Sequence, residues 1–182
     1  MHRIQPFPVA VALSFILLIL FSVCVLLHLI FSPEMWPMVK FWEVVLVGFS
    51  WVSTLSYFLA VLEIFVVAFY LAYVFVGLYN YFNARFPAKE DDTMKPLRFK
   101  PVAFAVTGLG IITYILCFLF DLVFPQLSMI AIWEILLPGF KGLDFKSFII
   151  GLIDVTIYGI YIAAVFVPIY NNFYSSELPE VK

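Results

Sequence analysis

The stretch Phe148–Tyr170 reads FIIGLIDVTIYGIYIAAVFVPIY and contains one charged residue, Asp154. Because a helix rises about 1.5 Å per residue, about 20 apolar residues cross a hydrocarbon core that is ~30 Å thick. The stretches Pro8–Phe31, Leu55–Tyr79 and Pro101–Phe124 are also long and apolar enough to span. The sequence therefore predicts an all-α membrane protein with four transmembrane helices.

The composition supports the same class. Of the 182 residues, 65% are hydrophobic and 12% are charged, whereas soluble domains carry about 25% charged residues. A formal net charge of −2 provides no basic surface for nucleic acid. The expected partners are the lipid bilayer and either other integral membrane subunits or further copies of the chain.

Two apolar pieces are too short to span, Val39–Trp51 and Met129–Phe140. They contain Glu43 and Glu134, and the second is interrupted by proline and glycine. We expect short helices that lie in the membrane interface or dip into it. The tryptophans of both pieces are expected to belong to interfacial aromatic belts.

The chain contains an internal repeat. Residues 42–82 align with residues 133–173 at a constant offset of 91, and 14 of the 41 positions are identical. Upstream the offset is 93. We therefore predict two tandem repeats of a two-helix hairpin, residues 1–82 and 101–182, joined by a connector at residues 83–100. A unit with two spans ends on the side where it began, so the repeats are parallel and a pseudo-two-fold axis along the membrane normal is expected.

The distribution of Lys and Arg predicts the orientation. Seven basic residues lie at the termini and in the connector, and three lie in the other loops. Cytoplasmic loops are enriched in Lys and Arg. Both termini and the connector are therefore expected in the cytoplasm.

Ionisable side chains inside a membrane are functional candidates because burying a charge in hydrocarbon is unfavourable. Each hairpin has a serine, a carboxylate and a tyrosine spaced seven residues apart on its second span: Ser56, Glu63 and Tyr70, and then Ser147, Asp154 and Tyr161. The two stripes could hold a proton or a cation, bind a cofactor or a lipid headgroup, or form hydrogen bonds between helices. All of these interpretations place the stripes against protein or water.

Small residues form a second face on the same two spans, with the spacing that lets helix backbones approach closely. These helix-packing candidates are Ala60, Ala68, Ala72, Gly151, Gly159 and Ala163. The sequence contains no metal-ligand motif, no phosphate loop and no catalytic triad pattern. It therefore predicts no metal, no cofactor and no catalytic residue.

The segment Trp133–Phe140, with the sequence WEILLPGF, and the later Tyr170–Phe173, YNNF, resemble a two-span unit of small bacterial membrane proteins of unknown function. The resemblance covers residues 133–173 well. It is less complete over residues 42–82, where Val47 replaces the proline and alanines replace two glycines. The resemblance implies a fold and a bacterial cytoplasmic membrane, and it implies no activity.

The sequence leaves two functions open. One is an accessory or structural subunit of a larger membrane complex, itself not an enzyme, although the complex could be a membrane enzyme. The other is a small proton- or cation-coupled transporter or channel protomer that uses Glu63 and Asp154.

Overall fold

The computed structural model describes residues 4–30, 38–47, 49–50, 53–86 and 97–176. Four long helices are α1 (Pro6–Ile30), α3 (Thr54–Arg85), α4 (Phe99–Val123) and α6 (Phe145–Ser176). The short helices are α2 (Met38–Val45) and α5 (Ile130–Leu136), and a 3-10 turn at Pro125–Leu127 precedes α5. Residues 87–96 of the predicted connector and the two chain ends lie outside the described residues, so the orientation stays a prediction.

The four long helices are long and apolar enough to cross a membrane. In their most apolar windows only 17–28% of the residues are buried inside the protein, and the exposed remainder is rich in Phe, Leu, Ile and Val. Such surfaces are stable against lipid and not against water. The prediction of an all-α integral membrane protein with four spans is confirmed.

Neighbouring spans pack in the order α1, α3, α4, α6. The start of one helix contacts the end of its neighbour, as Ile4 contacts Asn80 and Gly108 faces Leu78. Neighbouring helices are therefore antiparallel, and α1 and α4 run in the same direction. A two-fold axis would pack α6 on α1 just as α4 packs on α3. Within the described residues α6 and α1 are not among the main helix pairs, so the helices form an open series and not the expected two-fold arrangement.

The two hairpins have the same helix bounds at the predicted offsets. The bounds of α4 equal those of α1 plus 93, and the bounds of α6 equal those of α3 plus 91. One pair of hydrogen bonds also recurs. The Asn80 side chain accepts from Ile4 N at 3.1 Å and donates to Ile4 O at 2.8 Å, and Asn171 does the same with Leu97 at the same two distances. These amides join the start of the first span of each hairpin to the end of its second span.

An aromatic cluster occupies the other end of each hairpin. In the first, the Phe21 ring packs edge-on against Trp42 at 5.4 Å and Phe49 at 5.2 Å and stacks on Tyr57 at 5.4 Å. At the equivalent positions of the second, the Tyr114 ring packs edge-on against Trp133 and Phe140 and stacks on Phe148, at 5.6, 6.5 and 5.9 Å. Ring pairs with these edge-on and offset geometries are favourable beyond the area that they bury.

The clusters show that both short segments dip between the spans. Phe21 and Tyr114 each lie nine residues before the end of their helix, or roughly 14 Å at 1.5 Å per residue. Their tryptophan partners must lie at a similar depth. Trp42 is only 6% exposed and packs within its hairpin. That Trp42 and Trp133 belong to an interfacial belt stays a prediction.

Arg98 joins the two hairpins at the end opposite the aromatic clusters. Its guanidinium donates to the backbone oxygens of Asn83 at 2.6 Å and Phe86 at 2.8 Å and to the Asn83 side chain. The last carbonyls of a helix have no partner within the helix and attract a cation. The side chain at the start of α4 thus closes the end of α3, which fixes the distance between the hairpins there.

Complementary pairs of residues set the distance between the two spans of each hairpin. In the first hairpin Phe21 packs with Ala60. In the second, Tyr114 is larger by a hydroxyl group and faces Gly151, where a Cβ atom would lie 2.7 Å from Tyr114 Cε2 and closer still to Cζ and the hydroxyl oxygen. Thr107 likewise packs against Gly159 where the first hairpin has Ser14 and Ala68, since a Cβ on Gly159 would lie 2.7 Å from Thr107 Cα. A larger side chain on one helix is matched by a smaller one on the other.

This complementarity predicts a non-additive pair of substitutions. Gly151→Ala should destabilise the protein by about 1–3 kcal/mol, because the added methyl group overlaps the Tyr114 phenol. Adding Tyr114→Phe recreates the first hairpin's pair and should recover part of that loss, because it removes the hydroxyl while the nearby ring carbons remain. Unfolding in detergent, followed for both single variants and the double variant, measures the coupling. Equal effects of Gly151→Ala in the wild type and in the Tyr114→Phe variant would contradict the proposed contact.

Candidate functional site

The serines of the predicted polar stripes lie at the first turns of α3 and α6. Ser56 is 6% exposed, and its hydroxyl donates to Ser53 O at 3.1 Å and to Ser50 O. Ser147 is 3% exposed, and its hydroxyl accepts from Lys141 N at 3.1 Å and donates to Asp144 Oδ2 at 2.8 Å. Both serines connect the start of the second span to the turn after the short helix.

Asp144 caps α6. Its Oδ1 accepts from Ser147 N at 3.0 Å, which is a typical N-cap hydrogen bond. The hydrogen bonds from the Ser147 backbone and side chain lower the pKa of Asp144 below its usual value. The first hairpin has Ser53 at this position, and its side chain makes no capping hydrogen bond.

The two carboxylates of the stripes lie at equivalent depths on different helices. Glu63 and Asp154 each follow the start of their helix by nine residues, or roughly 14 Å. Among the described residues, α3 and α6 do not form one of the main helix pairs. The structure therefore does not assemble the two carboxylates into one site.

The Asp154 carboxylate has one oxygen atom without a hydrogen-bond partner among the described residues. Its Oδ2 atom is buried and makes no hydrogen bond within the described part of the chain. The carboxylate also interacts electrostatically with the Tyr114 phenol across the interface between α4 and α6. A buried carboxylate oxygen without a partner is unfavourable unless a proton, a water molecule or another donor reaches it.

The two tyrosines of the stripes lie in different environments. The Tyr70 hydroxyl is within hydrogen-bond distance of the Thr113 hydroxyl, 3.1 Å away on α4. Tyr161, its equivalent on α6, is 65% exposed and makes no hydrogen bond to a described residue. It lies near the middle of the candidate span 145–172. The face of α3 that carries Tyr70 is covered by α4, while the same face of α6 is open.

The six small residues all lie between the spans. Ala60, Ala68 and Ala163 have no exposed surface, and Ala72 is 2% exposed. Gly151 and Gly159 are also buried, against Tyr114 and Thr107 respectively. These positions permit close helix packing, as small-xxx-small patterns do in membranes.

Asp121 is a site residue that the sequence reasoning did not select. Its side chain is completely buried, and Oδ1 accepts from Met129 N at 2.8 Å, while Oδ2 has no hydrogen bond in the described part of the chain. The signal was an acidic residue in the last turn of α4, where the negative end of the helix dipole disfavours a carboxylate. An acid there indicates a local structural role, here the start of the segment that contains α5.

Potential metal ligands do not cluster in the described residues. No group of three or more His, Cys, Asp and Glu side chains is close enough there to hold a metal ion. Cys24 and Cys117 are free thiols. The site chemistry that the structure offers is hydrogen bonding and proton exchange by carboxylates and phenols.

Comparisons with known proteins match the second hairpin. Residues 98–173 match the model of a 2TM family of unknown function, DUF5676. The matched segment begins just before α4 and ends within α6, so it covers one two-span unit. Searches of curated proteins and of solved structures gave no significant match. The findings describe a helical membrane protein and assign it no activity.

The cap of α6 predicts a pH dependence. Because the folded-state pKa of Asp144 is lowered, its contribution to stability is present above the unfolded-state pKa of about 3.9. That contribution is lost as the pH falls through the lower folded-state pKa. Asp144→Asn retains a capping acceptor without this titration, so it should flatten this part of the stability profile.

Thermal unfolding of the wild type and Asp144→Asn between neutral pH and pH 3 measures the difference. Ser53→Asn, at the equivalent start of α3, is the matched control and should leave the acid limb of the profile unchanged. Parallel profiles for wild type and Asp144→Asn would show that the cap does not titrate in this range.

Proposed function

We propose that the protein is an accessory or structural subunit of a larger integral membrane complex, and that a transmembrane helix of another subunit packs on the open face of α6. The observation that carries this proposal is the exposed Tyr161 phenol near the middle of a span. Hydrocarbon offers a phenol hydroxyl no hydrogen-bond partner, so a protein partner is favoured at this depth.

The first hairpin supplies the template for such packing. The equivalent face of α3 contacts α4 through the hydroxyl pair of Tyr70 and Thr113, and Leu78 packs 3.1 Å from the place of a Cβ on Gly108. A small residue permits the close approach and a polar residue adds a hydrogen bond. A helix with the same two features fits the face of α6.

The α1 helix of a second copy lacks those features. At the positions of Gly108 and Thr113, α1 has Phe15 and Leu20. Both are exposed, at 55% and 49%. A copy that packed head-to-tail through α1 would lose both the close approach and the hydroxyl partner. A different subunit is therefore favoured over a repeating array of this chain.

We also infer that the first hairpin is a diverged copy of the unit that the second hairpin represents. The equal helix bounds, the two asparagine hydrogen-bond pairs and the two aromatic clusters support this inference. The Gly151 and Tyr114 substitutions above test it directly, because they transplant a residue pair between the copies.

Photocrosslinking tests the proposed docking face. A photoreactive phenylalanine at position 161 should crosslink to a defined second protein in native membranes, and the same residue at position 19 should not. Ile19 is the matched control because it is 62% exposed on the apolar outer face of α1.

Co-purification in a mild detergent provides the second measurement. The crosslinked protein should co-purify with the wild type in stoichiometric amount and be lost from Tyr161→Ala, while Ile19→Ala retains it. A chain that emerges alone, or that crosslinks only to its own copies through position 161, would contradict the subunit proposal.

Proton or cation transfer through Asp154 is the second candidate function. It is favoured by the buried Oδ2 that has no hydrogen bond among the described residues, since such an oxygen can accept a proton or face a cation. In liposomes, Asp154→Asn should then abolish proton or cation flux. Glu63→Gln is the companion variant, because Glu63 is the equivalent residue on α3. Absence of flux through the wild-type protein would eliminate this candidate and leave the subunit proposal untouched.

A further inference from the structure

A cavity of about 330 Å³ opens between the last turns of α1 and the first turn of α3. Its apolar wall is formed by Val25, Leu29 and Phe49, and its polar rim includes Ser53 and Thr54. Pockets of roughly 300 Å³ and above are large enough for organic ligands. The cavity lies beside the first aromatic cluster and at the end of the bundle opposite Asn80.

The second hairpin fills part of the same place with a side chain. Val25 is equivalent to Phe118, whose ring is 9% exposed and packs 4.9 Å from the ring of Phe148. The backbone elements around the two positions correspond, because the helix bounds match. The smaller side chain at position 25 therefore leaves space in the first hairpin that the Phe118 ring occupies in the second.

The polar rim also differs between the hairpins. Asp144 places a carboxylate on the first N–H groups of α6, whereas Ser53 makes no side-chain capping hydrogen bond and the first turn of α3 has no acidic residue. The free N–H groups at a helix start carry partial positive charge and attract anions. The cavity thus joins an apolar wall to a rim that favours an acceptor with negative charge.

We propose that this cavity binds one membrane phospholipid. The upper part of an acyl chain occupies the wall of Val25, Leu29 and Phe49, and the phosphate or ester oxygens accept hydrogen bonds at the start of α3. The depth of the cavity supports this occupant, because the ends of spanning helices mark the level at which hydrocarbon gives way to headgroups. The ligand is held between α1 and α3 and would stabilise their outer ends.

A photoreactive phospholipid tests the site. The purified full chain is placed in vesicles of phosphatidylethanolamine and phosphatidylglycerol that contain a phosphatidylglycerol with a diazirine on its upper acyl chain. We expect labelling at residues 53–57, mapped by mass spectrometry. Val25→Phe introduces the ring that the second hairpin already accommodates, and it should reduce this labelling about tenfold by filling the cavity.

Val23→Phe is the matched control, since Val23 is 44% exposed on the outer face of the same helix. It should label like the wild type. The reverse variant combines Phe118→Val with Asp144→Ser, so that both the wall and the rim match the first hairpin, and it should create new labelling near residues 144–148. It keeps the test decisive if Val25→Phe does not fold.

Two results would overturn the proposal. The first is equal labelling of the wild type and Val25→Phe, which would show that the lipid contacts only the outer surface. The second is equal labelling at residues 53–57 by a diazirine hydrocarbon that has no headgroup, which would show that the rim does not select a phospholipid.

Discussion

A chain segment that dips into hydrocarbon must provide a partner for each of its backbone N–H and C=O groups. The segment around α5 does this with side chains from both spans of its hairpin. Asp121 accepts from Met129 N where the segment begins, the Tyr158 hydroxyl donates to Leu136 O where α5 ends, and the Ser147 hydroxyl accepts from Lys141 N after the following turn. The aromatic cluster around Tyr114 then packs against a segment whose backbone is hydrogen-bonded to both spans at these three points. These hydrogen bonds hold the segment between α4 and α6.

The small residues of α3 and α6 follow from the same packing. Because the ring of Phe21 or Tyr114 lies between the two spans and the short helix of its hairpin, the facing helix needs a small side chain at that position. Alanine suffices opposite Phe21, and only glycine leaves room for the hydroxyl of Tyr114. In a bilayer the association of helices comes from close packing and not from the removal of apolar surface from water. The complementarity of these pairs therefore contributes directly to the stability of each hairpin.

The spans could be predicted because their signal is local. Apolar length requires no knowledge of neighbours, and it placed the four spans correctly. The order of helices could not be predicted, because a repeat is compatible with both a closed and an open arrangement. Members of the stripes differ in their surroundings: Ser56 and Ser147 form hydrogen bonds at helix starts, while Tyr161 is exposed. Those differences come from tertiary neighbours and from the position of each hairpin in the series.

The open series gives equivalent residues unequal surroundings. Tyr70 lies at the contact between hairpins and has a hydroxyl partner, while Tyr161 repeats it at the end of the series and has none among the described residues. A closed two-fold arrangement would have given both tyrosines the same environment. The exposure of Tyr161 on α6 thus follows from the open order of the helices. The divergence of α1, where Phe15 and Leu20 replace Gly108 and Thr113, leaves the other end of the series suited to lipid. The outer face of α1 is therefore suited to contact with hydrocarbon. The outer face of α6 retains the Tyr161 hydroxyl, which a further helix could satisfy with a hydrogen bond.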